Sequence, residues 1–178
     1  MASATCRTVA AILALSACSG RGLSTSTQAS PSTAIVVTSS ATLPRVDLID
    51  EAIAALEARL GGPQQYFEIN ATPRLVNLFV ALNDGKLVQP WVYLGGELSS
   101  TEGRAADGFS FAGTALDFDP HTVLSRLQAE LPQASAEVFF VEGGDGGVVQ
   151  YSVAVRTQQG EQLVVVVGAD GEVQSVAT

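Results

Sequence analysis

Few side chains in this sequence have the type and spacing to do chemistry. The single histidine, His121, follows Asp119 by two positions and Asp117 by four. An Asp-x-Asp-x-His run offers carboxylate and imidazole ligands to a divalent cation. The same run also reads as a helix start, with Asp119 capping, Pro120 at the first helical position and His121 on the surface. That second reading is the one we adopt, and no metal site is expected. A serine hydrolase would have to recruit His121, yet no serine stands in a Gly-x-Ser-x-Gly turn. Glycosidic cleavage needs two carboxylates facing a deep cleft. Glu137 with Glu142, or Asp84 with Glu97, fall instead at expected strand ends or turns and read as solvated surface charge. The glycine-rich run 142–147 lacks the Lys and following Ser/Thr of a phosphate-binding loop and reads as a hairpin turn. The sequence thus assigns no catalytic residue and no cofactor, and the chain is read as non-enzymatic.

The remaining reactive groups are the thiols of Cys6 and Cys18. Arg7, the apolar run Val9–Leu15 and the small residues Ser16 and Ala17 precede Cys18. A basic start, an apolar stretch and small residues before a cut are the parts of an export signal. The run is shorter than the roughly 20 apolar residues that span a bilayer. Leu15-Ser16-Ala17-Cys18 resembles the lipobox of bacterial lipoproteins. The resemblance implies that residues 1–17 are removed and that Cys18 carries a diacylglyceryl thioether. It places the protein on the outer face of the bacterial cytoplasmic membrane, or in the outer membrane of a Gram-negative cell. Acyl chains contribute about 0.8 kcal/mol per buried CH₂, and stable anchoring takes two of them. With Cys6 removed and Cys18 acylated, the mature chain holds no thiol for a disulfide, a metal or a nucleophile.

Acidic side chains outnumber basic ones, 18 to 9. That balance repels phosphate backbones, so no nucleic-acid partner is expected. It also repels anionic headgroups, so contact with the membrane would come through the lipid anchor and not through a basic patch.

The elements that must position these groups follow from periodicity. Residues 18–44 comprise Cys18 and a stretch rich in Ser, Thr, Gly and Ala. Too few large apolar residues are present to repay ordering. It reads as a flexible tether with a reach of about 25–30 Å, although Ile35-Val36-Val37 would also suit a first edge strand. Ile49, Ile53, Leu56 and Leu60 recur at helical spacing over 47–60, and Gly61-Gly62-Pro63 ends that helix. Strands are expected at 65–70, 75–82 and 86–94, with a hairpin turn at Asn83-Asp84-Gly85. Pro90 cannot donate to a ladder, so the third strand should be an edge there, or bulged. A second helix, 120–131, is followed by strands at 137–142, 148–156, 162–168 and 172–177. Val164 to Val167 do not alternate with polar residues, so their strand should be central or covered on both faces.

The expected fold class is α+β. Two similar units, 45–118 and 119–178, each comprise one helix and an antiparallel meander, with the helices on one sheet face. A single continuous sheet without an ancestral repeat would produce the same pattern. Trp91, Tyr93, Phe109 and Phe111 fall near the expected edge. They either form a binding surface, since Trp and Tyr are enriched in hot spots, or fill the core between the halves.

The twofold helix-then-meander pattern over 45–178 resembles the PepSY-type domains of exported bacterial proteins and the tandem fold of the beta-lactamase inhibitory proteins. The closing run 168–176 is the part most similar to a PepSY strand ending. The resemblance implies a module that binds or restrains another protein outside the cytoplasm, and it transfers no functional residue. The expected function is therefore a membrane-anchored, non-enzymatic interaction module that binds a protein or another component of the cell envelope. The alternative is a lipid- or small-molecule-binding lipoprotein with an apolar cavity.

Overall fold

The chain enters its first helix through one 3-10 turn at Val46–Leu48 and continues as α1 (Ile49–Leu60). The structure, a computed structural model, describes residues 42–177. The export segment, Cys18 and nearly all of the expected tether, Ile35-Val36-Val37 included, lie outside the described residues. In α1 the acids Asp50 and Glu51 occupy the first turn and Arg59 the last, each favourable to the helix dipole. The helix stops because Gly61 takes a left-handed conformation (φ +83°). The N–H groups of Gly61 and Gly62 both donate to the Glu57 carbonyl. Ile49, Ala52, Ile53 and Leu56 form its buried stripe. The second helix, α2 (Pro120–Glu130), starts where the sequence says it must: Asp119 accepts from the Thr122 N–H at 2.6 Å, and Pro120 follows. Val123, Leu124 and Leu127 are its buried side chains.

The strands are β1 (Gln65–Ala71), β2 (Val76–Leu82), β3 (Leu87–Leu94), β4 (Glu97–Ser100), β5 (Arg104–Ala105), β6 (Phe111–Ala112), β7 (Ala134–Gly143), β8 (Val149–Thr157), β9 (Gln162–Val167) and β10 (Val173–Ala177). They form one antiparallel sheet in the order β10-β9-β8-β7-β1-β2-β3-β4, with β5 beside β3 and β6 beside β1. The fold is mixed helix and antiparallel sheet, as the α+β expectation requires. The stretches 45–118 and 119–178 share this sheet and one core: Ile69, Leu78 and Trp91 belong to the same buried cluster as Phe139, Val153 and Val165. Helix residues Ile53, Leu56, Val123 and Leu127 join that cluster, so both helices lie on one sheet face.

Two sequence expectations about strand position are met in a limited form. β3 is an edge only around Pro90, because its outer neighbour is split into β4, opposite 91–94, and β5, opposite 87–88. The gap falls at Pro90, which lacks an N–H to offer; its carbonyl accepts from the Thr101 N–H at 3.2 Å. β9 is central, as expected, with β8 and β10 on its two sides; one face is covered, and Val164 on the other is 40% exposed.

The register around the centre of the sheet is regular. β1 and β7 each carry a bulge, at Phe67 and Glu137 respectively. Both run buried, half-buried, half-buried, buried from that point: Tyr66 to Ile69 in β1, Ala136 to Phe139 in β7. Aligned on their bulges, Asn70 corresponds to Phe140, and Asn70 is paired with Phe140 across the β1–β7 ladder. Likewise Ile69 faces Val141 and Ala71 faces Phe139. A local twofold axis through the Asn70–Phe140 pair therefore relates the two strands.

Candidate functional site

Three tyrosines fasten the covered side. The Tyr93 hydroxyl donates to Glu51 and the Tyr66 hydroxyl to Glu57 (3.3 Å), tying β3 and β1 to α1. Burial, then Glu57, pushes the Tyr66 hydroxyl well above the usual phenol range. The Tyr151 hydroxyl accepts from the Asp117 N–H at 3.1 Å and so holds the approach to α2; burial raises its pKa. Trp91 lies in the same layer with the Arg59 guanidinium 5.5 Å from its ring centre. Its indole Nε1 is buried without a partner among the described residues.

These positions settle where the aromatic candidates sit. Trp91, Tyr93 and Phe111 are buried (6%, 3% and 1% exposed), whereas Phe109 is 55% exposed. The four form no common surface. Three of them fill the core, and Phe111 packs on Tyr66 with ring centres 6.1 Å apart.

Other candidates separate in the same way. The Asp119 carboxylate is committed to the helix cap, which holds its pKa below the usual range, and His121 is exposed in the first turn. Glu137 forms a two-point ion pair with Arg156. Asp84 sits in the turn before β3 and Glu97 beyond its far end, so they do not converge. Of the run 142–147, Glu142 and Gly143 close β7 and 144–147 lie in the β7–β8 turn, with Gly146 and Gly147 at positive φ.

The structure places together residues that the sequence did not. Cross-strand neighbours share a face, so the face opposite the helices is read from the ladders. It carries Phe79, Pro90 and Val92 from β2 and β3, Asn70 from β1, Val138 and Phe140 from β7, Ser152 and Ala154 from β8, and Val164 and Val166 from β9. Among the described residues no helix covers this face. A solvated face of an antiparallel sheet is ordinarily polar; this one carries an apolar patch over β7–β9, bordered by the paired Asn70 and Asn77 of β1 and β2.

At one end the face is bridged by a strap. The chain leaves β5 beside β3, passes Gly108 and Phe109, and returns as β6 beside β1. Gly143 makes room for it, since a Cβ there would lie 2.5 Å from the Phe109 carbonyl oxygen. Beneath the strap is a cleft of about 480 Å³ walled by Phe67, Phe79, Val88 and Phe109. Glu68 and Glu142 also line it, directly opposed across β1 and β7. Glu68 accepts from Asn70 Nδ2 at 2.6 Å, and Asn70 Oδ1 accepts from Asn77 Nδ2 at 2.6 Å. Burial, reinforced by the Glu68 charge, raises the Glu142 pKa above its ordinary value. No group of three metal-ligating side chains occurs among the described residues. Comparison with protein-family models, with curated proteins and with solved structures finds no match to this chain.

Proposed function

We propose that this protein is a non-enzymatic binding module held at the outer face of a bacterial membrane by an acyl group on Cys18, and that its uncovered sheet face receives an envelope protein. The observation that carries the reading is that face. Val138, Phe140 and Val166, half-buried, and Val164, 40% exposed, lie together on it over β7 and β9, away from the buried core. Contiguous exposed apolar surface marks interaction sites in soluble domains. The Leu15-Ser16-Ala17-Cys18 run supports the anchor, and the resemblance to PepSY-type and beta-lactamase-inhibitory-protein-like modules supports a protein partner. The regular register through Asn70 and Phe140 further supports descent of the two helix-and-meander halves from one duplicated unit.

The test uses the full chain in cells, with a photo-crosslinking residue at position 140 or 166, or at position 128 on the exposed side of α2. The expected result is one protein adduct from 140 and 166, absent from 128 and abolished by Val138→Asp. Equal adducts from all three positions, or none from the sheet, overturn the reading. The anchor is tested separately. Globomycin should slow the gel migration of the wild-type chain, and Cys18→Ser should release the protein from membranes.

A second reading rests on a different cleft. At the end of α2, Leu131, Pro132, Ala134, Val155, Leu163 and Val176 line an apolar space of about 400 Å³. That space suits a small apolar ligand or part of an acyl chain. A lipid co-purifying with the protein, and lost on Leu163→Gln, would favour it.

A further inference from the structure

The cleft beneath the strap adds chemistry to the open face. Glu68 and Glu142 stand opposite each other on neighbouring strands, an arrangement that is destabilising for like charges. Neither forms an ion pair among the described residues, although the arginines Arg45, Arg126 and Arg156 are each paired elsewhere. Arg104 and Asp107 also line the cleft, so its acids outnumber its one base and the lining is net negative. Asn70, only 8% exposed, is fixed between Glu68 and Asn77, so Glu68 is held in place with one carboxylate oxygen already bonded. The walls are three phenyl rings and Val88. Two acids framed by aromatic faces suit an organic cation. A divalent metal would want six or more oxygen ligands, which this set does not offer. A guanidinium answers both parts, since its plane stacks on aromatic rings and its N–H groups fork onto carboxylates. The raised affinity of Glu142 for a proton is the response of a desolvated acid lacking a counter-charge. The cleft is continuous with the open face, because Phe140 and Glu142 are successive residues of β7 on that face.

We propose that the cleft receives an arginine side chain of the partner protein, its guanidinium between Glu68 and Glu142 and its stem along Phe67, Phe79 and Phe109. The inference rests on the reading of the open face as a docking surface and specifies what the partner presents there: a basic residue flanked by apolar ones, which lie on Val138 and Phe140.

The probe is the tripeptide acetyl-Leu-Arg-Leu-amide, with acetyl-Leu-citrulline-Leu-amide as its uncharged counterpart. Each is titrated into the full-length chain while backbone amide resonances are followed by NMR. Saturable shifts at Glu68, Glu142 and Phe109 are expected from the arginine peptide. Binding should weaken about tenfold or more with citrulline, and by a similar factor in the Glu68→Gln/Glu142→Gln double variant. Both glutamine changes keep side-chain shape, and the citrulline arm needs no variant at all. Equal response to the two peptides overturns the proposal. So does the absence of any response, or a stronger response of the same resonances to calcium alone. The photo-crosslink from position 166 separates the two levels of argument. If the adduct forms equally in the double variant, the arginine inference fails while the docking face stands. If no adduct forms in the wild type, the docking face itself fails.

Discussion

Single residues on this sheet have opposite duties according to the face they take. Phe139 and Phe140 are neighbours in sequence, but Phe139 is fully buried and Phe140 is half-buried on the uncovered side. Phe139→Ala should therefore cost about 3–5 kcal/mol of unfolding free energy. Phe140→Ala should cost about 1 kcal/mol or less while impairing capture of the partner; urea denaturation of both variants checks the contrast. Glu142 makes a pH prediction. Its pKa is raised in the folded protein, so folding takes up protons, and its contribution is fully present below the unfolded pKa. That contribution disappears as pH rises through the folded value. Wild-type protein should thus lose stability on going from about pH 4 to about pH 8, relative to a Glu142→Gln variant whose profile is flatter and whose urea midpoint is higher at neutral pH. Equal slopes for the two proteins would contradict a strained acid pair. None of this pairing is legible in the sequence, because Glu68 and Glu142 belong to distant segments and meet only through the β1–β7 register. What is legible is the Asp119-Pro120 helix start, since that hydrogen bond closes within one turn.

At the scale of elements, the long segments declare themselves and the short ones do not. The two helices follow from apolar residues at helical spacing, and β8 from Val149, Tyr151, Val153 and Val155 at alternate positions, although 151–155 are all buried. β4 has the sequence Glu-Leu-Ser-Ser and is mostly exposed; β5 and β6 contain two residues each. Such pieces bury too little to leave a periodic trace, and they exist because backbone groups of β3 and β1 are waiting for them. The strap that joins β5 to β6 is likewise invisible until the sheet is assembled, and with it the separate fates of Phe109 and Phe111. A local hint is Gly143, whose missing side chain admits the strap. Gly143→Val should displace it, lowering stability by about 1–3 kcal/mol and speeding amide exchange over 104–112, measurable by hydrogen–deuterium exchange.

For the whole molecule, the strand order makes the halves mutually dependent. β1 and β7 are the innermost strands, and each supplies an edge to the other. Fragments 42–118 and 119–178, produced separately, should each lack cooperative unfolding and dispersed NMR spectra, and mixing them should restore both. Independent folding of either fragment would show that the shared cluster around Ile69 and Phe139 is dispensable. The repeated helix-and-meander order is legible from pattern alone, whereas its fusion into one sheet depends on hydrogen bonds between residues far apart in the chain. The axis through Asn70 and Phe140 carries one more implication. Its two ends are chemically unlike, an amide locked in a polar chain on one strand and a bare phenyl ring on the other. A visitor straddling that seam feels left and right differently, so two strands related by a local rotation still dictate a single heading for whatever lies across them.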